Sequence, residues 1–125
     1  MLKRIGYWQS VQHQELPDPT QFIDHGSTYE LQEFLGDYLR RGFVARSFLG
    51  QSKCRICGQL VGSLELSDGT FIWPEGLSHY VLEHGVRLPM EFARHAVSFT
   101  DKLESQEVDD RWWISLSSDS AGSQP

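Results

Sequence analysis

The clearest hydrophobic pattern along the chain is an amphipathic repeat in residues 28–41. Its apolar positions recur at the i, i+3, i+4, i+7 and i+8 spacing of one helical face. These positions are Leu31, Phe34, Leu35, Tyr38 and Leu39. Ser27 and Glu30 have the spacing of a capping box, and Gly42 follows where a helix commonly ends. Gly36 lowers the helix propensity of the segment, so we interpret it as a point of close approach by another helix.

Three short segments after this helix have the character of β-strands. Residues 43–49 are rich in aromatic and β-branched side chains, and residues 60–66 alternate with the period of two that is typical of strands. The tetrapeptide Ser-Asp-Gly-Thr at 67–70 predicts a turn that leads into a third strand at 71–73. The second and third strands should therefore form a β-hairpin, in which Asp68 serves the turn.

Two more helices and a last strand are predicted in the second half of the chain. Pro74 is suited to the first turn of a helix that ends at Gly85, where Glu75 would favour the positive N-terminus, and Pro89 opens another helix. Residues 111–116 are predicted to be a strand that places Trp112 and Trp113 on opposite faces, one in the core and one available to a partner.

This order of elements predicts the α+β fold class, with a small antiparallel sheet flanked by an N-terminal helix and a further C-terminal helix. We expect one domain over residues 1–116. Residues 117–125 have no apolar pattern and are predicted to be a disordered tail.

Composition agrees with one globular domain, because the chain has 125 residues of which 39% are apolar and 12% aromatic. No apolar run approaches the roughly 20 residues that span a bilayer, and no secretory signal is recognisable near Met1. We therefore expect a cytoplasmic protein with no membrane contact and with reduced thiols.

The net charge of −6 is unevenly distributed along the chain. Residues 38–64 contain no acidic residue and five basic ones, which we call the basic band: Arg40, Arg41, Arg46, Lys53 and Arg55. The segments on either side are acidic. Overall acidity disfavours general nucleic-acid binding, whose affinity comes largely from phosphate neutralisation, but the basic band permits a local contact.

The two cysteines of the chain, Cys54 and Cys57, form a Cys-x2-Cys pair directly before the predicted hairpin. The helix after the hairpin carries His79 and His84, so the whole pattern is Cys-x2-Cys-x21-His-x4-His. Two thiolates and two imidazoles satisfy the tetrahedral preference of Zn²⁺. The sequence therefore predicts one structural zinc in a zinc-finger-like ββα core. The five-residue step between the histidines turns them about 140° apart on an ideal helix, so the helix end must adjust near Gly85.

Two other interpretations of the cysteines remain open. They could be a redox pair of the thioredoxin type, although that motif belongs at the start of a helix in a βαβ unit. They could also be two unreactive cysteines beside surface histidines. We assign none of His13, His25 and His95 as a ligand, and His25 is the best substitute if His79 or His84 fails.

The stretch "CRICGQLVGSLELSDGTFIWPEGLSHYVLEHGVRLPMEF" at residues 54–92 resembles a group of uncharacterised bacterial zinc-finger-like proteins. Their shared pattern is CR-x-CG, then a Thr/Ser-Asp-Gly turn, then WPEGL-x-HYV-x-x-H-x-V-x-LP-x-x-F. The match covers about a third of the chain. The resemblance implies a zinc-binding fold carried on Cys54, Cys57, His79 and His84, and it implies no activity.

Three functions follow from these patterns. The first is a zinc-stabilised binding protein with a protein partner, an adaptor or an immunity-like protein, whose acidic stretch around Asp109 and Asp110 could attract a basic surface. The second is nucleic-acid binding through the basic band, with stacking on Trp73, Phe48 or Tyr80. The third is a zinc hydrolase in which Glu75 or Glu83 acts as base, which requires a metal with only three protein ligands.

Overall fold

The computed structural model describes residues 1–24, 26 and 28–122. The described chain contains a short 3-10 helix at Pro19–Phe22, four strands and four α-helices. The strands are β1 (Lys3–Arg4), β2 (Phe43–Ser47), β3 (Leu64–Ser67) and β4 (Phe71–Pro74). The helices are α1 (Tyr29–Arg40), α2 (Leu77–His84), α3 (Met90–Glu104) and α4 (Arg111–Gly122). The predicted α+β class is confirmed.

Helix α1 has the predicted apolar face. Leu35 and Leu39 are each 1% exposed, and the other three apolar positions are half-buried against the core. Thr28 caps the helix through its Oγ1, which accepts a hydrogen bond from the Leu31 N–H at 3.3 Å. The predicted capping residue Ser27 lies outside the described residues. A Cβ placed on Gly36 would lie 2.4 Å from Cγ of Leu82, so the predicted close approach is confirmed, and it is made by α2.

The sheet has the order β1-β4-β3-β2. The pairs β2–β3 and β3–β4 are antiparallel, as predicted, but β1 pairs parallel to β4, so the sheet is mixed. Strand β1 is only two residues long, which is too short for a sequence pattern to reveal. The N-terminal segment thereby closes the edge of the sheet next to β4.

The β3–β4 hairpin forms through the predicted turn. Oδ1 of Asp68 accepts the N–H groups of Thr70 at 2.9 Å and Phe71 at 2.8 Å, so this carboxylate organises the turn as expected. Strand β3 starts at Leu64, not at residue 60 as we predicted. Residues 60–62 instead pair with residues 52–53, on the other side of the loop that carries the cysteines.

Helix α2 begins at Leu77, later than we predicted, and Pro74 is the last residue of β4. Glu75 does not serve the helix N-terminus. Its Oε1 accepts the backbone N–H groups of Ser63 at 2.8 Å and Leu64 at 3.1 Å, and so continues the hairpin ladder beyond the proline. The helix ends as predicted at Gly85, whose φ of +65° is the left-handed conformation that glycine adopts readily.

The strand predicted at 111–116 is wrong, because this segment is the first part of α4. Trp112 and Trp113 are 69% and 68% exposed, so neither lies in the core. Helix α4 also extends through residue 122 into the segment we expected to be a disordered tail, and residues 123–125 lie outside the described chain.

The core lies between the sheet and helices α1, α2 and α3. Trp73 at its centre is fully buried, and its indole N–H donates to the Leu39 carbonyl at 3.1 Å. Phe92 from α3 is also fully buried and meets Trp73 and Phe71 edge to face. Helix α2 is thus fixed on a packed scaffold. Within the described residues, no helix is both long and apolar enough to cross a bilayer.

Candidate metal centre

The two cysteines lie on a narrow loop between β2 and β3, residues 52–62, which we call the cysteine loop. Its two arms are joined by backbone hydrogen bonds from Ser52 to Gly62 and from Val61 to Ser52, each 2.9 Å. At its tip, the Gly58 N–H donates to the Cys54 carbonyl at 2.8 Å, and Gly58 has a φ of +77°. This tight turn brings the Cys54 and Cys57 side chains to the same side.

The two thiols differ in environment. Cys54 is 2% exposed and belongs to the hydrophobic core cluster, and the Ile56 N–H points at its sulfur with an N–Sγ distance of 3.4 Å. Cys57 is exposed and lies beside His79, with 3.3 Å between Sγ and Nε2. The Ile56 N–H thus helps to orient the Cys54 sulfur on the loop.

The histidines enter from helix α2. His79 lies in its first turn and His84 is its last residue, yet their Nε2 atoms are only 3.2 Å apart. Both imidazoles use the distal ring nitrogen, whose longer reach compensates for the 140° step that an ideal helix puts between them. The predicted adjustment at the helix end is a loosened last turn, because the Gly85 N–H donates to the Tyr80 carbonyl five residues before it.

One donor atom from each of Cys54, Cys57, His79 and His84 lies within 4.8 Å of the other three. A tetrahedral zinc with bonds of about 2.3 Å to sulfur and 2.05 Å to nitrogen would have edges of about 3.3 Å between nitrogens and about 3.6 Å between sulfur and nitrogen. The distances of 3.2 Å between the imidazoles and 3.3 Å from Cys57 to His79 fit these edges. The four side chains could therefore hold one metal ion, and their donor set suits zinc.

The surroundings of His79 favour the form of its imidazole that binds a metal. The pKa of His79 is lowered below its ordinary value, first by burial and second by the neighbouring His84. A lowered pKa keeps the imidazole neutral, which ligation requires.

Tyr80 supports the cluster from the core side, a role that the sequence did not reveal. Its hydroxyl accepts the Arg55 N–H at 2.8 Å and lies near the Cys54 thiol. Burial and, among smaller causes, the nearby Cys54 raise the pKa of Tyr80 to about 12, so the hydroxyl stays a donor. The only signal was its position next to His79, which is not specific for such a contact.

The histidines that we did not assign as ligands, and the two candidate bases of the hydrolase alternative, were also located. Nε2 of His95 lies 2.9 Å from Oδ2 of Asp68, and Nδ1 of the exposed His13 lies 3.8 Å from Glu15, so neither joins the cluster. His25 lies outside the described residues. Glu83 is exposed, and Glu75 is bonded to backbone N–H groups as described above.

The aromatic residues considered for base stacking are largely inaccessible. Trp73 is fully buried and Tyr80 is 5% exposed, whereas Phe48 is 41% exposed. The members of the basic band are exposed around β2 and the cysteine loop. The proposed nucleic-acid surface therefore has its exposed positive charges, but two of its three aromatic residues are too buried to stack on bases.

We compared the chain with protein-family models, with curated proteins and with solved structures, and none of the three comparisons gave a significant match. The family resemblance of residues 54–92 thus stays a prediction. The metal centre rests on the geometry of the four side chains.

Proposed function

We propose that the protein is a zinc-stabilised binding module for another protein, in which one Zn²⁺ fastens the cysteine loop to helix α2. The observation that carries this proposal is the convergence of two sulfur and two imidazole donors within 4.8 Å. Without a metal, the loop is linked to the helix by the hydrogen bond from the Arg55 N–H to the Tyr80 hydroxyl and by packing of Cys54 in the core. When bound, the metal would supply this attachment and no chemistry of its own.

A structural role is favoured over hydrolysis by the number of ligands and by the surrounding acids. Four protein donors leave no coordination position for water or substrate. Glu75, one of the two candidate bases, already accepts two backbone N–H groups at the start of β3. The second candidate, Glu83, precedes His84 on an exposed part of α2. The zinc hydrolase alternative therefore has less support.

A protein partner is supported by exposed apolar side chains that the fold does not use. Phe43 and Val44 on β2 are 58% and 59% exposed, and the tryptophans of α4 lie open to solvent. Aromatic side chains of this kind are enriched where proteins bind one another. For nucleic-acid binding, the basic band is the feature that still supports the hypothesis.

Metal analysis of the purified protein tests the zinc site. We expect one zinc per chain, and we expect Cys54→Ser and His84→Ala each to reduce it to near zero. His13→Ala is the matched control, because His13 is exposed and lies outside the cluster. A chain that carries no zinc, or that keeps it in both ligand variants, would remove the metal from the proposal.

The partner is tested separately by affinity capture with the zinc-loaded chain and identification of what it retains. The acidic stretch at 101–110 is exposed throughout, and charge reversal at Asp109 and Asp110 measures its share in recovery. Unchanged recovery would exclude this stretch. Recovery of nucleic acid in place of protein would favour the second function.

A further inference from the structure

Strand β2 is an open edge of the sheet. It pairs with β3 on one side, and no strand among the described residues pairs with its other side. All five of its residues are exposed. An open edge with apolar side chains is a template for pairing with another chain, and natural proteins usually protect such edges.

The hydrogen bonds of β3 show which backbone groups of β2 face the open side. The Leu64 N–H donates to Oε1 of Glu75, and the Leu64 carbonyl accepts the Glu75 N–H at 2.8 Å, so both groups of Leu64 face β4. Opposite residues of an antiparallel pair either exchange both bonds or both turn away from one another. Ser47 lies opposite Leu64, so its N–H and carbonyl face the open side. A β-bulge lies between Val44 and Arg46, so the alternation is counted along β3. Leu66, two residues after Leu64, also faces β4, and Val44 opposite it therefore faces the open side.

Positive charge lies along this strand and beyond its end. Arg41 precedes the strand and Arg46 lies within it. Lys53 and Arg55 follow on the cysteine loop, where they line a cleft of about 200 Å³ together with Phe48, Tyr7 and Glu75. Within the described residues, none of these four basic side chains forms an ion pair. Unneutralised charges beside a binding edge select a partner of opposite charge.

Two other occupants fit less well. Pairing of β2 with β2 of a second copy would bring the same basic residues against one another, and like charges on adjacent strands are destabilising. A nucleic acid would satisfy the charges but not the outward N–H and carbonyl groups of Val44 and Ser47, which a peptide backbone matches. Tyr80 and Trp73, moreover, are buried away from bases.

Building on the proposed function, we propose that β2 binds an extended acidic segment of the partner protein by strand addition. The partner backbone continues the sheet at Val44 and Ser47, and its carboxylates meet the basic residues Arg41, Lys53 and Arg55. The zinc contributes indirectly, because it fixes the cysteine loop on which Lys53 and Arg55 lie.

The first test uses a fluorescent peptide of about ten residues in which glutamate alternates with valine. We expect saturable binding to the zinc-loaded chain that weakens as salt is raised. Arg41→Glu combined with Lys53→Glu should weaken binding at least about tenfold. The matched control is Arg94→Glu with Lys102→Glu, which changes net charge equally on α3 and should leave binding within about twofold. Equal loss in both double variants, or equal binding of a peptide with lysine in place of glutamate, would overturn the proposal.

The second test leaves the protein unchanged, so it decides the matter even if a charge variant fails to fold. Two versions of the peptide carry N-methyl groups on alternate residues, one version on the odd positions and the other on the even positions. Strand addition requires that one version lose binding and the other keep it, because only one backbone edge faces β2. Loss in both or in neither, or preferential binding of single-stranded DNA of equal charge, would contradict strand addition.

These outcomes are distinguishable from failure of the proposed function. If affinity capture retains a protein partner whose recovery is unaffected by the Arg41 and Lys53 substitutions, the module stands and the edge proposal is wrong. If no protein is retained by the native chain and no zinc is bound, the proposed function fails first.

Discussion

Among single residues, Tyr80 is the one whose side chain connects the metal cluster to the hydrophobic core. Its ring is buried and packs against Trp8 with 5.5 Å between ring centroids, while its hydroxyl meets Arg55 and Cys54. Groups that hydrogen-bond to metal ligands orient them and stabilise their charged form. Tyr80 would thus act on a bound metal through Cys54.

Removing this hydroxyl in Tyr80→Phe should leave the fold intact and weaken the cluster. We expect zinc affinity to fall about tenfold, since loss of such outer contacts typically costs that much. The unfolding free energy should fall by about 1–2 kcal/mol, because the Arg55 N–H loses its acceptor. Chelator competition and denaturant titration measure the two effects. Tyr29→Phe is the control, because Tyr29 is 76% exposed. If Tyr80→Phe binds zinc as tightly as the native chain does, the role assigned to the Tyr80 hydroxyl is wrong.

At the scale of elements, the close contact of α1 with α2 decides how the histidine-bearing helix is positioned. Propensity alone predicts that Gly36→Ala stabilises α1 by about 1 kcal/mol. We expect the opposite, because the new Cβ would lie 2.4 Å from Cγ of Leu82 and force the helices apart. Denaturant unfolding of Gly36→Ala measures the sign.

The same contact can be checked by a double-mutant cycle. Leu82→Ala removes the atoms with which the new Cβ collides, so Gly36→Ala should be tolerated far better in that background. If Gly36→Ala lowers the free energy of unfolding equally with and without Leu82→Ala, or if Gly36→Ala alone stabilises the protein, then Leu82 moves aside without loss of stability.

Asp68 joins three elements, since it receives the Tyr38 hydroxyl of α1 at 2.5 Å and faces His95 of α3 from the β3–β4 turn. Burial alone would raise the pKa of Asp68, but the hydrogen bonds from Phe71, Tyr38 and Thr70 and the charge of His95 lower it below its ordinary value of 3.8. A carboxyl with a lowered pKa stabilises the fold above its unfolded-state pKa and loses this contribution as pH falls through the folded value.

We therefore expect Asp68→Asn to cost about 1–3 kcal/mol at neutral pH. The difference from the native chain should stay constant down to about pH 4 and shrink below it. Unfolding of both metal-free proteins, followed as a function of pH, excludes any contribution from metal release. A difference in unfolding free energy that grows on acidification would contradict a lowered pKa for Asp68.

Local patterns identified those elements whose signals were strong, and they failed where tertiary contacts decide the structure. The face of α1 and the turn at Asp68 follow from local spacing, as does the glycine end of α2. The prediction for residues 111–116 was wrong because Trp and Ile favour strands, whereas the segment forms a helix. Strand β1 depends on its partner β4 and has no pattern of its own.

For the whole molecule, the four side chains that could hold a metal were predictable, because zinc requires a fixed set of donor types at characteristic spacings. The contacts around them were not. Tyr80 and the backbone N–H of Ile56 act through packing, which one sequence does not encode as a motif. The open edge of β2 likewise appears only when the order of the strands is known.

The hydrophobic core and the candidate metal site are largely separate parts of the fold, so removal of zinc should affect them differently. A structural zinc can contribute on the order of 10 kcal/mol, and a minimal zinc finger unfolds without it. In this chain the core is built from α1, α2, α3 and the β3–β4 hairpin, and of the cysteine loop only Cys54 is fully buried in it. A chain of 125 residues is large enough to keep such a core without metal.

Chelation should therefore release the cysteine loop and leave the sheet folded. In hydrogen exchange, the amides of Cys54, Gly58 and Val61 should lose protection, while those of Leu66 and Trp73 keep theirs, because the first group is held by loop hydrogen bonds and the second by the packed ladder. Cys54→Ser without chelator should give the same pattern. Equal loss of protection in both groups would mean that the metal holds the whole domain together, as it does in a minimal finger.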